Sequence, residues 1–149
     1  MKIFLSTPIA GFGNELEYKK YRKWLLEIHK QLCEKYGEKN VVAAFFSAKD
    51  YDSYDSPSTS AKEDIYGIES CDVFVMFYPV KNPTSALVEL GYALAQNKKI
   101  LIVSPKVDVL PYMVQGFHEA YPKQVKWTNS MDSFVIVNMI NSLWNDESC

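Results

Sequence analysis

Cysteine and histidine are scarce in this chain: Cys33, Cys71 and Cys149 are its three cysteines and His29 and His118 its two histidines, among 149 residues. The cysteines are odd in number, widely spaced and form no C-x-x-C pair, which excludes a disulfide framework and argues against a zinc site. The sequence also offers no Ser–His or Cys–His arrangement for nucleophilic catalysis and no Walker-type phosphate loop. Gly11 and Gly13 give a G-x-G without the third glycine of a dinucleotide fingerprint. No metal and no cofactor are therefore expected. An excess of positive charge is missing too: 16 Lys and Arg against 18 Asp and Glu leave a net charge of -2. Binding a phosphate backbone needs a cationic surplus, so nucleic acid is not an expected partner. The longest apolar run, Val73 to Val80, contains Tyr78 and Pro79 and is too short to cross a bilayer, so no membrane partner is expected either. The opening MKIFLSTPIAG has a single Lys and a short apolar stretch and reads as a strand rather than a secretory leader, which predicts a cytoplasmic protein.

What the chain does have is 48% hydrophobic residues in a length that buries roughly 68–70% of the unfolded surface, enough for one domain spanning residues 1–149. Short β-rich runs alternate with amphipathic stretches, the pattern of βα units around a parallel sheet. Strands are predicted at Lys2–Ser6, Val41–Phe46, Val73–Tyr78, Lys99–Ser104 and Gln124–Thr128. The first helix starts near Asn14, a capping residue with Glu17 three positions on, carries the stripe Tyr18, Tyr21, Leu25, Ile28, Leu32, and ends near Gly37. Further helices are predicted at Ser60–Ser70, Ser85–Asn97, Val109–Phe117 and Met131–Trp144. Right-handed crossovers then give a five-stranded parallel sheet of order 2-1-3-4-5 with helices on both faces. Ligands of such sheets bind beyond the carboxyl ends of the strands where the order reverses, here between the first and third strands. The loops Thr7–Gly13 and Pro79–Thr84 should wall that crevice.

Two acids stand out against this frame. On the third helix Ala86, Leu87, Leu90, Ala93 and Leu94 form the core face, with Ser85, Glu89, Tyr92 and Gln96 in the adjoining stripe. Glu89 falls near the helix N-terminus, at the crevice, where it either complements the helix dipole or does chemistry. On the second helix Asp64 lies between Ala61 and Ile68 on the inward stripe completed by Ile65. A carboxylate there must be hydrogen-bonded to a neighbouring loop, neutral, or open to a cleft. Both helices run back from the carboxyl edge on the same face of the sheet, so Asp64 and Glu89 can converge. Two carboxylates in different environments suit glycosyl-bond chemistry. Thr84 and Ser85 either cap the third helix or hold a phosphate. The long loop Ser47–Thr59, with Tyr51, Tyr54, Asp50, Asp52 and Asp55, reads as either a mobile solvated loop or one whose aromatics stack on a base. Trp24, Trp127 and Trp144 read as packing residues or interface anchors.

The segment from Asp64 through Ile68 to Asp72, followed by Glu89-Leu-Gly91-Tyr-Ala93, resembles the nucleoside 2-deoxyribosyltransferase and nucleotide N-glycosidase superfamily, with D-x-x-x-I-x-x-x-D ahead of a strand and E-x-G-x-A on the next helix. The opening Ile3-Phe-Leu-Ser-Thr-Pro8 is similar to that family's first strand and ligand-contacting turn. The resemblance implies a flavodoxin-like α/β domain that cleaves or transfers the N-glycosidic bond of a nucleoside or nucleoside monophosphate. It further implies Glu89 as nucleophile, Asp64 as the group that orients it or handles the base, Ser6, Thr7, Pro8, Thr84, Ser85 and Tyr92 as substrate contacts, and a homo-oligomer. Members that bind phosphate often carry an Arg in the first turn, where this chain has Ser6, Thr7, Pro8, Ile9 and Ala10. The layout is also similar to TIR domains, which implies as alternatives an NAD glycohydrolase or ADP-ribose cyclase making a signalling nucleotide, or an adaptor without activity.

Overall fold

The structure, a computed structural model, describes residues 1–8, 12–43, 45, 56–82 and 84–145. Five parallel strands, β1 (Ile3–Ser6), β2 (Val41–Val42), β3 (Val73–Phe77), β4 (Lys99–Val103) and β5 (Val125–Thr128), form one sheet in the order β2-β1-β3-β4-β5. The expected order is therefore the observed one. Around the sheet run α1 (Glu15–Tyr36), α2 (Pro57–Ser70), α3 (Ala86–Ala95), α4 (Tyr112–Gln115), α5 (Phe117–Ala120) and α6 (Ser133–Asn145).

The period of two along each strand divides the core between the two faces of the sheet. Ile3, Leu5, Val73, Val75, Phe77, Leu101 and Val103 pack with Leu25, Ile28 and Leu32 of α1 and Ile136, Ile140 and Leu143 of α6. Phe4, Phe74, Met76, Ile100 and Ile102 pack on the other side with Ile68 of α2 and Ala86, Leu90 and Ala93 of α3. Strands buried on both sides explain why β1, β3 and β4 read as unbroken apolar runs. The α2 helix crosses directly over β1, and its Gly67 sits on the Phe4 ring, which stacks in turn on Phe74.

Local chemistry sets the helix ends. Asn14 accepts the Glu17 N–H at 2.9 Å, Glu15 and Glu17 fill the first turn of α1, and Gly37 closes it at φ 87° with its N–H on the Cys33 carbonyl. At the end of α2, the Lys98 ammonium donates to the carbonyls of Glu69 and Cys71 at 2.7 and 2.8 Å. Asn97 takes the left-handed conformation (φ 55°) just beyond α3, which lets the Lys98 N–H reach the Ala93 carbonyl.

Four expectations need correction. Among the described residues the second strand covers Val41–Val42 of the expected Val41–Phe46, paired at the sheet edge with Ile3 and Phe4; Phe45 is buried outside it, and Ala44 and Phe46 lie outside the described residues. Helix α2 starts at Pro57, three residues before Ser60, because Ser56 caps it and proline is well suited to the first helical position. The helix predicted at Val109–Phe117 is a 3-10 turn (Val107–Val109) followed by α4 and α5, since Pro111 forces Leu110 into extended backbone and Gly116 separates the two short helices. Ala61 is exposed rather than inward, because the 14-residue α2 is far longer than the four-residue β1 beneath it and its first turns overhang the sheet. Most of the loop Ser47–Thr59, including Tyr51, Tyr54 and its three aspartates, lies outside the described residues, as do Ile9 to Gly11 and Pro83.

Replacing Asn14 with Ala should lower unfolding free energy by about 1 kcal/mol, the usual cost of losing an N-cap acceptor, as read from urea denaturation. An unchanged midpoint would mean that the cap contributes nothing here.

Candidate active site

The pleat of β1 puts Phe4 and Ser6 on the same face, so the last residue of the strand presents a hydroxyl where its neighbour presents a ring. Ser6 is 2% exposed and aligned with Met76 of β3, at the place where the strand order reverses. Glu89, in the first turn of α3, is within reach of both the Ser6 hydroxyl and the Asp64 charge on α2, and the two acids are each half-buried. Among the described residues, two buried side-chain polar atoms have no hydrogen-bond partner, Ser6 Oγ and Asp64 Oδ1. Both belong to this cluster. Buried polar atoms are nearly always paired, so two orphans that each neighbour Glu89 mark a place built to receive a polar ligand.

Electrostatics ties the cluster together. Burial pushes the Glu89 carboxyl from 4.5 up to about 7; the Ser6 hydroxyl, short of a closed hydrogen bond, pulls it down, the Asp64 charge raises it, and Ser85 lowers it again. Asp64 is itself raised, by burial first and by the neighbouring Glu63 second. Desolvation and a nearby like charge are two of the ways a carboxyl is kept protonated near neutral pH.

The remaining predicted contacts are engaged differently. Thr7 shares a 2.8 Å hydrogen bond with the Tyr21 hydroxyl of α1, and Pro8 is buried. Thr84 caps α3: its Oγ1 accepts the Ala86 N–H at 2.9 Å and its carbonyl the Leu87 N–H, while the Ser85 carbonyl takes those of Val88 and Glu89. The first N–H groups of α3 are thus occupied by the helix's own cap. The Tyr92 hydroxyl donates to Glu69 Oε1 at 2.7 Å, on the α2–α3 seam and away from Ser6. The structure therefore brings together Ser6, Asp64, Ser85 and Glu89, and gives Thr7, Thr84 and Tyr92 other hydrogen-bonding partners.

Three features went unread in the sequence. Tyr78, 1% exposed, donates to the Asn82 carbonyl and so pins the loop that leads into α3. Gly67 allows the close approach of α2 to β1. A Cys–His contact does exist, contrary to expectation: His29 and Cys33, four apart on α1, bring Nε2 within 3.5 Å of Sγ. It lies toward the end of α1, remote from the carboxyl edge. Burial raises the thiol there and lowers the imidazole, which favours the neutral pair over a reactive thiolate. Among the described residues no cluster of three or more metal-ligating side chains is present, and no helix is long and apolar enough to cross a membrane.

No protein-family model and no curated protein sequence matches the chain. Among solved structures, the CMP N-glycosidase BcmB of Clostridium botulinum superposes with a TM-score of 0.62 at 19% identity, covering 95% of this chain and 99% of its own. In fold the chain is similar to a CMP N-glycosidase. A de novo designed Rossmann 2x3 protein matches at a TM-score of 0.51 and 15% identity, over 99% of this chain and 90% of that one. A 2-deoxyribosyltransferase from Leishmania mexicana overlaps 70% of this chain and 65% of its own at a TM-score of 0.47 and 19% identity.

The raised Glu89 carboxyl has a consequence for stability. The unfolded chain releases that proton near pH 4.5 and the folded chain near 7, so folding takes up a proton in between. Its contribution is complete below about pH 4.5 and is lost as pH rises through about 7. Glu89→Gln, isosteric and uncharged, should escape that loss. Its urea midpoint is expected to exceed that of the wild type at pH 8 and to coincide with it at pH 4; an equal gap at both values would contradict the assignment.

Proposed function

We propose that the chain cleaves or transfers the N-glycosidic bond of a nucleoside or nucleoside monophosphate, with Glu89 as the nucleophile and Asp64 serving the leaving base. The observation that carries this reading is the pair of unpartnered buried atoms, Ser6 Oγ and Asp64 Oδ1, grouped around a carboxyl poised near neutrality. The likeness in fold to a CMP N-glycosidase supports it.

In the reaction proposed, ionised Glu89 attacks C1′ while the bond from C1′ to the base nitrogen breaks and its electron pair leaves with the base. Asp64, whose carboxyl holds its proton to higher pH than usual, donates that proton to the departing nitrogen. The product is a glycosyl ester on Glu89. Water then adds at C1′, its proton returns to Asp64, and Glu89 is freed; a second base in place of water gives transfer. Ser6 and Ser85 stabilise the ionised form of Glu89 that begins the cycle.

Glu89→Gln should lower turnover by at least ~10³-fold, as expected on losing the principal nucleophile. Asp64→Asn should lower it by ~10²–10⁴-fold, the scale of a positioned acid–base group. Because turnover needs Glu89 ionised and Asp64 protonated, kcat/KM of the wild type should follow a bell-shaped pH profile, and in Asp64→Asn only the rising limb set by Glu89 should remain. The test is incubation with ribo- and deoxyribonucleosides, their monophosphates and, separately, NAD, with chromatography of the products. Free base from the nucleosides or monophosphates supports the proposal. Nicotinamide release or a cyclised ADP-ribose from NAD alone replaces it with the TIR-like reading, and silence throughout replaces it with an adaptor or ligand-binding module.

A further inference from the structure

Gly67 and Asp64 lie on the same inward face of α2, three residues apart, so they are separated by about 4.5 Å along the helix. Beneath them Phe4 and Ser6 lie on the same face of β1, about 6.6 Å apart along the strand. Glycine over the ring and aspartate toward the hydroxyl therefore form two consecutive rungs between helix and strand. The first rung fixes the spacing. A Cβ built on Gly67 would fall 2.6 Å from both Cδ2 and Cε2 of Phe4 and 3.6 Å from Val42 Cγ1. Ordinary contact begins at 3.4 Å, so any side chain at 67 must open the gap by 0.8 Å or more.

Phe4 has little freedom to yield. Its ring is 1% exposed and stacks on Phe74 at 5.8 Å between centroids, with only 7° between their planes. Close packing of this kind passes displacement to whatever can move, which here is the helix. Nothing in the backbone of Gly67 itself demands glycine, because positive φ among the described glycines occurs only at Gly37. The missing Cβ is the reason for the residue.

We propose that Gly67 is a positioning residue of the site: by having no side chain it lets α2 settle on Phe4, and this sets how closely Asp64 approaches Glu89. The inference rests on the glycosidic reading for its catalytic meaning, but its geometric core stands without it. The charged and polar groups around Glu89 are Asp64 with Glu63 behind it on α2, Ser6 on β1 and Ser85 on α3. Withdrawal of α2 moves Asp64 and opens the crevice while leaving the two serines in place. Less repulsion and less burial act in the same direction on Glu89.

The experiment is a titration of the Glu89 carboxyl by carbon-13 NMR in the wild type, Gly67→Ala, Phe4→Leu, the combined Phe4→Leu/Gly67→Ala variant, and Asp64→Asn as reference. In Gly67→Ala the Glu89 midpoint should fall by a few tenths of a pH unit, in the same direction as in Asp64→Asn, and turnover should fall about tenfold. Phe4→Leu, which removes Cε2 and leaves a Cδ2 free to rotate away from a Cβ at 67, should return the midpoint of the combined variant towards that of Phe4→Leu alone. A merely structural glycine would cost stability without moving the midpoint, and that result overturns the proposal. So does a combined variant that folds with its midpoint still displaced. Should Gly67→Ala not fold, the combined variant decides alone by the same criterion. Failure to release base from any substrate would sink the glycosidic reading without touching the titration, so the two failures are separable.

Discussion

A half-buried carboxyl held against a second carboxyl is an expensive arrangement, and the rest of this molecule is organised around sustaining it. Glu89 and Asp64 both lose hydration at the end of β1, and each is raised above its ordinary range. Leaving two such groups together costs stability, and they would move apart unless the surrounding structure held them in place. That restraint comes from the sheet. The doubly buried strands β1, β3 and β4 form a stiff floor, and α2 and α3 are fastened to it by Ile68, Ala86, Leu90 and Ala93. The Lys98 ammonium and the Tyr92–Glu69 bond join the far ends of the same two helices. Fixed there, the helices cannot splay at the crevice to relieve the repulsion.

The same economy appears in the loops. Tyr78 reaches from the end of β3 to the Asn82 carbonyl, and Thr84 closes the first turn of α3. Glu89 is therefore delivered by a short, internally bonded connection, with its carboxylate beside the positive end of its own helix. The dipole and the serine hydroxyls favour the charged form while burial and Asp64 oppose it. A balance near neutrality is what such opposed influences produce, and it places the group where small changes in its surroundings alter its charge.

The sheet order and the convergence of α2 and α3 were legible in the sequence because they depend on patterns that local residues carry. Short unbroken apolar runs specify the central strands, and Asn14, Gly37 and the stripe from Tyr18 to Leu32 specify α1 in full. Asp64 stood out because a charge on an inward face demands an explanation. What escaped notice depended on partners distant in sequence. The length of β2 is set by its single neighbour, the fate of the Tyr92 hydroxyl by Glu69 23 residues before it, and the importance of Gly67 by a ring 63 positions away. A glycine in a helix is usually just a weak helix former, and only the facing strand reveals that its missing atoms matter. The break in the segment after β4 falls at Pro111, which holds the residue before it in extended backbone and so ends the 3-10 turn.

On the other face, Phe12 packs against Tyr21, Tyr21 against Trp24, and Trp24 stands edge-on to Phe77 of β3 while its indole N–H reaches the Met131 carbonyl at 2.8 Å before α6. Tyr21 in turn holds Thr7, the first residue after β1. Thr7 is thus bolted to α1, β3 and the entrance of α6 by one continuous run of rings. A contact network of that kind opens all together or not at all, so exchange of the backbone amides near Thr7 should share the opening free energy of α1 instead of fraying as a surface loop does. The floor of the crevice belongs energetically to the most protected part of the molecule, although it lies at a place where chains are ordinarily at their loosest.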